Sequence, residues 1–79
     1  MDYLPYFATD PRTCGGQTVI RGTRVTLRTI LASLADGHTV GEIVASFPSL
    51  NEDDVRAAIA FAAASAADDL PIPALPHAQ

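Results

Sequence analysis

Only three residues, Gly37-His38-Thr39, separate two amphipathic helical stripes in this chain. Leu27, Ile30, Leu31 and Leu34 recur at i, i+3, i+4 and i+7, and Val40, Ile43, Val44 and Phe47 repeat the pattern. That spacing lies on one face of an α-helix. A link this tight, with a glycine in it, forces the two helices to cross steeply, which is the helix-turn-helix arrangement. Local chemistry predicts the boundaries. Thr26 is placed to cap a first helix over about Leu27–Asp36, and Gly37 to end it in the left-handed conformation. Thr39 and Glu42 form a T-x-x-E capping box for a second helix, Val40–Phe47, and Pro48 stops it.

A third helix is predicted over Glu52–Ala67 with Asn51 as its cap. Glu52, Asp53 and Asp54 fall in its first turn, where the helix dipole favours negative charge. Val55, Ala58, Ile59 and Ala62 are expected to face inward, with Phe61 beside them. Beyond Phe61 the helix is nearly all alanine, a strong helix former that supplies little core. Such a surface admits a second helix closely and is a candidate dimer seam.

The flanks read differently. Residues 1–13 carry Tyr3, Tyr6 and Phe7 beside Pro5 and Pro11, an extended arm whose aromatics pack on the body or on a partner subunit. Cys14-Gly15-Gly16 is a joint, Thr18-Val19-Ile20 a short β-prone run, Gly22-Thr23 a turn, and Arg24-Val25 resumes the extended chain. Prolines at 71, 73 and 76 exclude helix from residues 68–79. Leu70, Ile72 and Leu75 therefore sit on a polyproline-like segment headed by Asp68 and Asp69, with the character of a docking tail. The expected architecture is mostly α: an arm with short β segments (1–26), a three-helix body (27–67) and an extended C-terminal tail (68–79).

The flanks leave roughly 50–60 residues for a core, which is marginal for a monomer, so a homodimer is expected. A lone cysteine suits a reducing cytoplasm. Asp2 and Pro5 at the start do not resemble a secretory signal, and no apolar run approaches the ~20 residues of a membrane span. The glycines match neither the dinucleotide nor the P-loop spacing. Cys14 has no histidine near it in sequence, and His38 and His77 lack neighbours at ligand spacing. Capping accounts for the carboxylates at 52–54. No enzyme, cofactor, metal site or small-molecule substrate is expected.

Net charge is −4, but it is unevenly spread. Residues 1–35 hold four arginines against two aspartates, net +2, while residues 36–79 hold one arginine against seven acids, net −6. With no lysine present, every positive side chain is a guanidinium, suited to phosphate or carboxylate.

The ordered combination of motifs resembles the bacterial and archaeal family catalogued as domain of unknown function 433. Ile20, Gly22, Thr23, Arg24 and Val25 match its "I-x-G-T-R-h" turn, and Leu34, Ala35 and Gly37 its "L-A-x-G" helix end. Glu42, Ile43, Phe47 and Pro48 match the "E-I" helix ending in an aromatic and proline. Leu50, Asp54, Val55, Ala57, Ala58 and Ile59 match its "L-x-x-x-D-h-x-A-A-h". Thr18 stands where the family commonly has proline. The resemblance implies a homeodomain-like helix-turn-helix fold, usually dimeric, and a role as a VapB-like antitoxin of a type II toxin–antitoxin pair. The implied partner is a PIN-like ribonuclease bound through the C-terminal extension, with the N-terminal body on operator DNA.

In that reading the toxin-binding residues are Asp68, Asp69, Leu70, Pro71, Ile72, Pro73 and Leu75. Acids open the third helix and none of the exposed residues of the second is basic, which opposes contact with phosphate there. DNA contact is therefore expected through Arg21, Arg24 and Arg28, helped by Arg12, with Thr23 in the same turn and two copies summed in a dimer. Alternatives are a stand-alone transcriptional regulator or a dimerising interaction module, the arginines then meeting intersubunit carboxylates.

Overall fold

Each of the three helices begins on a side chain that can accept a backbone hydrogen bond. The computed structural model describes residues 1–9, 11–12 and 14–68, without the side chains of Cys14 and Asp68. Helix α1 spans Leu27–Ala35, and Thr26 Oγ1 accepts the Thr29 N–H at 3.1 Å. It closes on Gly37 at φ 95°, with the Gly37 N–H on the Leu34 carbonyl (3.0 Å) and the His38 N–H on that of Ser33 (3.1 Å). This is a Schellman closure, and the positive φ at its end is why glycine stands there.

Helix α2, Val40–Ser46, opens on the reciprocal Thr39–Glu42 box. Helix α3, Glu52–Asp68, opens on a second reciprocal pair: Asn51 Oδ1 accepts the Asp54 N–H, and Asp54 Oδ2 the Asn51 N–H, both at 2.9 Å. The three helix ends differ by one residue from those predicted, the usual fraying margin.

Ahead of the helices lies a two-stranded antiparallel sheet, β1 (Phe7–Thr9) and β2 (Thr18–Ile20), in register Phe7–Ile20, Ala8–Val19 and Thr9–Thr18. The chain returns along the other edge of β2, where the Ile20 N–H donates to the Val25 carbonyl at 2.9 Å and Val19 bridges Thr26. Before β1 the arm is not wholly extended: Leu4–Tyr6 makes a 3₁₀ turn with Pro5 near its start, where a missing N–H costs nothing.

Four of the buried side chains meet at the centre, one from each element: Ile20 from β2, Ile30 from α1, Ile43 from α2 and Val55 from α3. Leu27, Leu50 and Ala58 complete this cluster, and the buried residues among those described include no polar or charged side chain. Tyr3 and Phe7 from the arm meet Phe61 of α3 as a ring triad, with centroids 5.9–6.2 Å apart and two of the three contacts edge-on. The arm's aromatics thus pack on the chain's own body.

One core assignment is corrected. Ile59, expected inward, is 41% exposed, while Ala57 is fully buried. The buried stripe of α3 runs through Val55, Ala57 and Ala58. Paired alanines let the neighbouring elements approach closely and turn the stripe toward position 57, away from 59. Replacing Ile30 with Ala is expected to lower unfolding free energy by about 2–5 kcal/mol. Ile59→Ala should stay within about 0.5 kcal/mol. Urea denaturation of both variants checks the orientation of the stripe.

Candidate functional site

The turn between β2 and α1 holds the residues with the strongest polar character. Ile20 to Thr23 closes as a tight turn, with the Thr23 N–H on the Ile20 carbonyl at 3.0 Å and Gly22 at φ 78°. The Thr23 hydroxyl donates to the Ile20 carbonyl (2.8 Å) and accepts the Val25 N–H (3.1 Å). Glycine supplies the left-handed geometry and threonine locks it, which gives the "I-x-G-T" pattern a physical cause. Thr23 is thereby committed to the turn on both its donor and its acceptor side.

Arg21 reaches back across the arm. Its Nε donates to the Pro5 carbonyl at 2.9 Å, and one terminal nitrogen to that of Phe7 at 3.4 Å, while its own N–H donates to the Tyr6 carbonyl at 2.8 Å. Both carbonyls held by the side chain lie beside the 3₁₀ turn, so the guanidinium clamps the arm onto the sheet. Sequence reasoning assigned Arg21 to phosphate and missed this clamp. The one signal available was an arginine placed just after a β-prone run.

The four candidate arginines are all exposed but do not form one patch. Arg21 and Arg24 share the turn at one end of the sheet. Arg12 lies in the β1–β2 connection at the other end, and Arg28, in the first turn of α1, borders a groove there with Gln17 and Thr18. Strands of three residues separate the two ends by roughly 10 Å. Of the proposed tail, Asp68 ends α3, and Asp69, Leu70, Pro71, Ile72, Pro73 and Leu75 lie outside the described residues.

Two shallow grooves flank the hairpin. One, of about 610 Å³, includes Arg28, Leu27 and Leu31; the other, of about 300 Å³, includes Leu4, Phe7, Leu27 and Phe61. Thr18 and Leu27 border both.

The acidic start of α3 is occupied from within. Arg56 pairs with Glu52 at 3.0 Å and with Asp53 at 3.5 Å, and Asp54 serves the Asn51 box. On α2, the Thr39 N–H and hydroxyl, with a smaller contribution from His38 at 3.9 Å, hold the Glu42 carboxyl below its ordinary value, against a weak upward effect of burial. No set of three or more His, Cys, Asp or Glu side chains converges on a metal-sized site among the described residues. None of the described helices is long and apolar enough to cross a membrane.

Comparison with known proteins places this arrangement. Residues 8–62 match the model of the family described as "Protein of unknown function (DUF433)". The chain belongs to the DUF433 family. It is 40% identical over 55 residues to the uncharacterized protein y4eO of Sinorhizobium fredii, a match covering 70% of this chain and 25% of that protein. It is also similar to the crystal structure of a DUF433 member protein from Anabaena variabilis, with a TM-score of 0.69 and 31% identity over 78% of this chain and 61% of the other. This DUF433 chain therefore spans about a quarter of the curated relative and under two thirds of the solved one. The family match begins inside β1 and ends one residue after Phe61, so it takes in the locked turn and leaves out the first arm residues and the tail.

If Arg21 clamps the arm, Arg21→Ala should cost about 1 kcal/mol, the worth of a typical net hydrogen bond. That corresponds to roughly fivefold faster amide exchange across Phe7–Thr9, with exchange in α2 unchanged. Hydrogen-exchange NMR reads both.

Proposed function

We propose that this chain is the antitoxin of a type II toxin–antitoxin pair, masking a PIN-like ribonuclease through residues 68–75 and repressing its own operon as a DNA-binding dimer. The observation that carries this reading is a division along the chain. Helix α3 is the last described element and ends at Asp68, and from Asp68-Asp69 onward the sequence alternates aliphatic residues with prolines. A segment pre-extended by proline loses little conformational entropy on docking, and its acids suit a basic, RNA-binding protein surface. Many polar side chains of the body serve caps, turns and the arm clamp.

For DNA, Arg24 and Arg28 are the principal candidates, with Arg12 and the remaining donors of Arg21 assisting and Thr23 holding the turn that carries Arg21 and Arg24. The split between two ends of the sheet suits separate phosphates better than one bidentate base contact. The exposed alanines of α3 at 63, 66 and 67 offer a seam for the second copy.

Two experiments test this. The neighbouring reading frame, expressed alone, is expected to arrest growth; the full chain should relieve the arrest and a version ending at Ala67 should not. A harmless neighbour overturns the antitoxin reading. In a gel-shift titration on the upstream DNA across salt concentrations, losing Arg24 and Arg28 to alanine should reduce the salt slope by about one unit for each phosphate contact removed. An unchanged slope removes these two residues from the DNA surface.

A further inference from the structure

Arg21 carries a full positive charge, yet the oxygens its side chain holds are neutral. Its Nε donates to the Pro5 carbonyl at 2.9 Å and its Nη2 to the Phe7 carbonyl at 3.4 Å. The residue is exposed, and no ion pair among the described residues includes it. Nε and Nη2 form one edge of the guanidinium, a fork that grips a phosphate or carboxylate through two parallel bonds. The arm thus puts two carbonyls where the two oxygens of an oxyanion would lie. At 3.4 Å the second prong is weakly held. A bond from the same donors to an ionised acceptor is roughly twice as strong as one to a neutral carbonyl.

The arm that supplies these carbonyls is lightly attached. Ahead of β1 it rests on the contacts of the Tyr3 ring with Phe7 and Phe61, and on the Tyr6 carbonyl, which accepts the Arg21 N–H. None of residues 1–7 is fully buried, and the family match begins only at residue 8.

We propose that the arm is an autoinhibitory strap on Arg21. Docked, it occupies the gripping edge of the guanidinium, and a nucleic-acid phosphate takes that edge by displacing the Pro5 and Phe7 carbonyls. The choice of phosphate rests on the DNA-binding reading above, whereas the competition rests on the clamp alone. Linkage makes the effect reciprocal: the strap weakens phosphate binding by the factor by which bound phosphate loosens the strap. The worth of a typical net hydrogen bond sets that factor at about fivefold. Nη1 makes no bond among the described residues, so the docked state still offers phosphate one donor group while the fork is withheld.

The test uses the full chain, with arginine side-chain NMR and fluorescence anisotropy. The probes are the upstream DNA duplex, inorganic phosphate measured against chloride at equal ionic strength, and a hexaglutamate peptide. The duplex should shift the Arg21 Nε–H resonance and speed exchange of the Tyr6 and Phe7 amides about fivefold. Tyr3→Ala removes two ring contacts and leaves the guanidinium in place, so it should bind the duplex up to about fivefold more tightly. Tyr3→Phe keeps the rings and should bind like the unaltered chain, and the gain from Tyr3→Ala should vanish in an Arg21→Ala background. No gain in Tyr3→Ala, or a gain that survives the loss of Arg21, overturns the proposal. If the duplex does not bind at all, the DNA reading fails and inorganic phosphate decides the strap. The strap then stands if phosphate shifts the Nε–H at lower concentration in Tyr3→Ala than in the unaltered chain, and falls if both respond alike. Hexaglutamate displacing the carbonyls where phosphate does not also overturns the proposal, in favour of an acidic protein.

Discussion

Ile20, Ile30, Ile43 and Val55 share one buried cluster, each contributed by a different element. A body this small has no second core layer, so the whole arrangement is as stable as that junction. The short link from α1 to α2 lets Ile30 and Ile43 share the core, and β2 packs against α1 to deliver Ile20. Sheet and helices are therefore a single cooperative unit, although the sheet has only six residues in named strands. The locked turn at Ile20–Thr23 belongs to this junction, because it fixes the angle at which the chain leaves β2 and enters α1.

The arm adds a second, smaller closure. Tyr3 and Phe7 pack on Phe61, a ring contact of the kind that contributes about 0.5–1.5 kcal/mol beyond its buried area. Arg21 supplies the polar half of the same closure by holding the Pro5 and Phe7 carbonyls. The Phe7 carbonyl of the three-residue edge strand would otherwise face solvent, and the guanidinium also blunts that edge against pairing with another chain.

Legibility in the sequence followed the range of the interactions. Helix positions rest on contacts within four residues, so the Thr26, Thr39 and Asn51 caps and the Gly37 closure could be read directly. The Asn51–Asp54 reciprocity was equally local, yet aspartate in place of the usual glutamate or glutamine at the third position concealed it. Interactions spanning many residues were not legible. Arg21 bonds to residues 14 and 16 positions away, and charge counting alone assigned it to phosphate. Ile59 was misplaced because the i, i+3, i+4, i+7 spacing from Val55 includes position 59, whereas the buried face of α3 is turned toward the small side chain at position 57.

The same distinction bears on function. In a helix-turn-helix body the last helix is the expected reader of a major groove. Here the first turn of α3 is acidic, and its charges are satisfied from within the helix by Arg56 and Asn51. A helix whose start carries three carboxylates against one guanidinium is well capped but poorly equipped to meet phosphate. The four arginines of the first half of the sequence lie instead on the β2–α1 turn, the β1–β2 connection and the first turn of α1. The fold thus sets the arginines, at the two ends of the sheet, apart from the helix start that carries the three carboxylates.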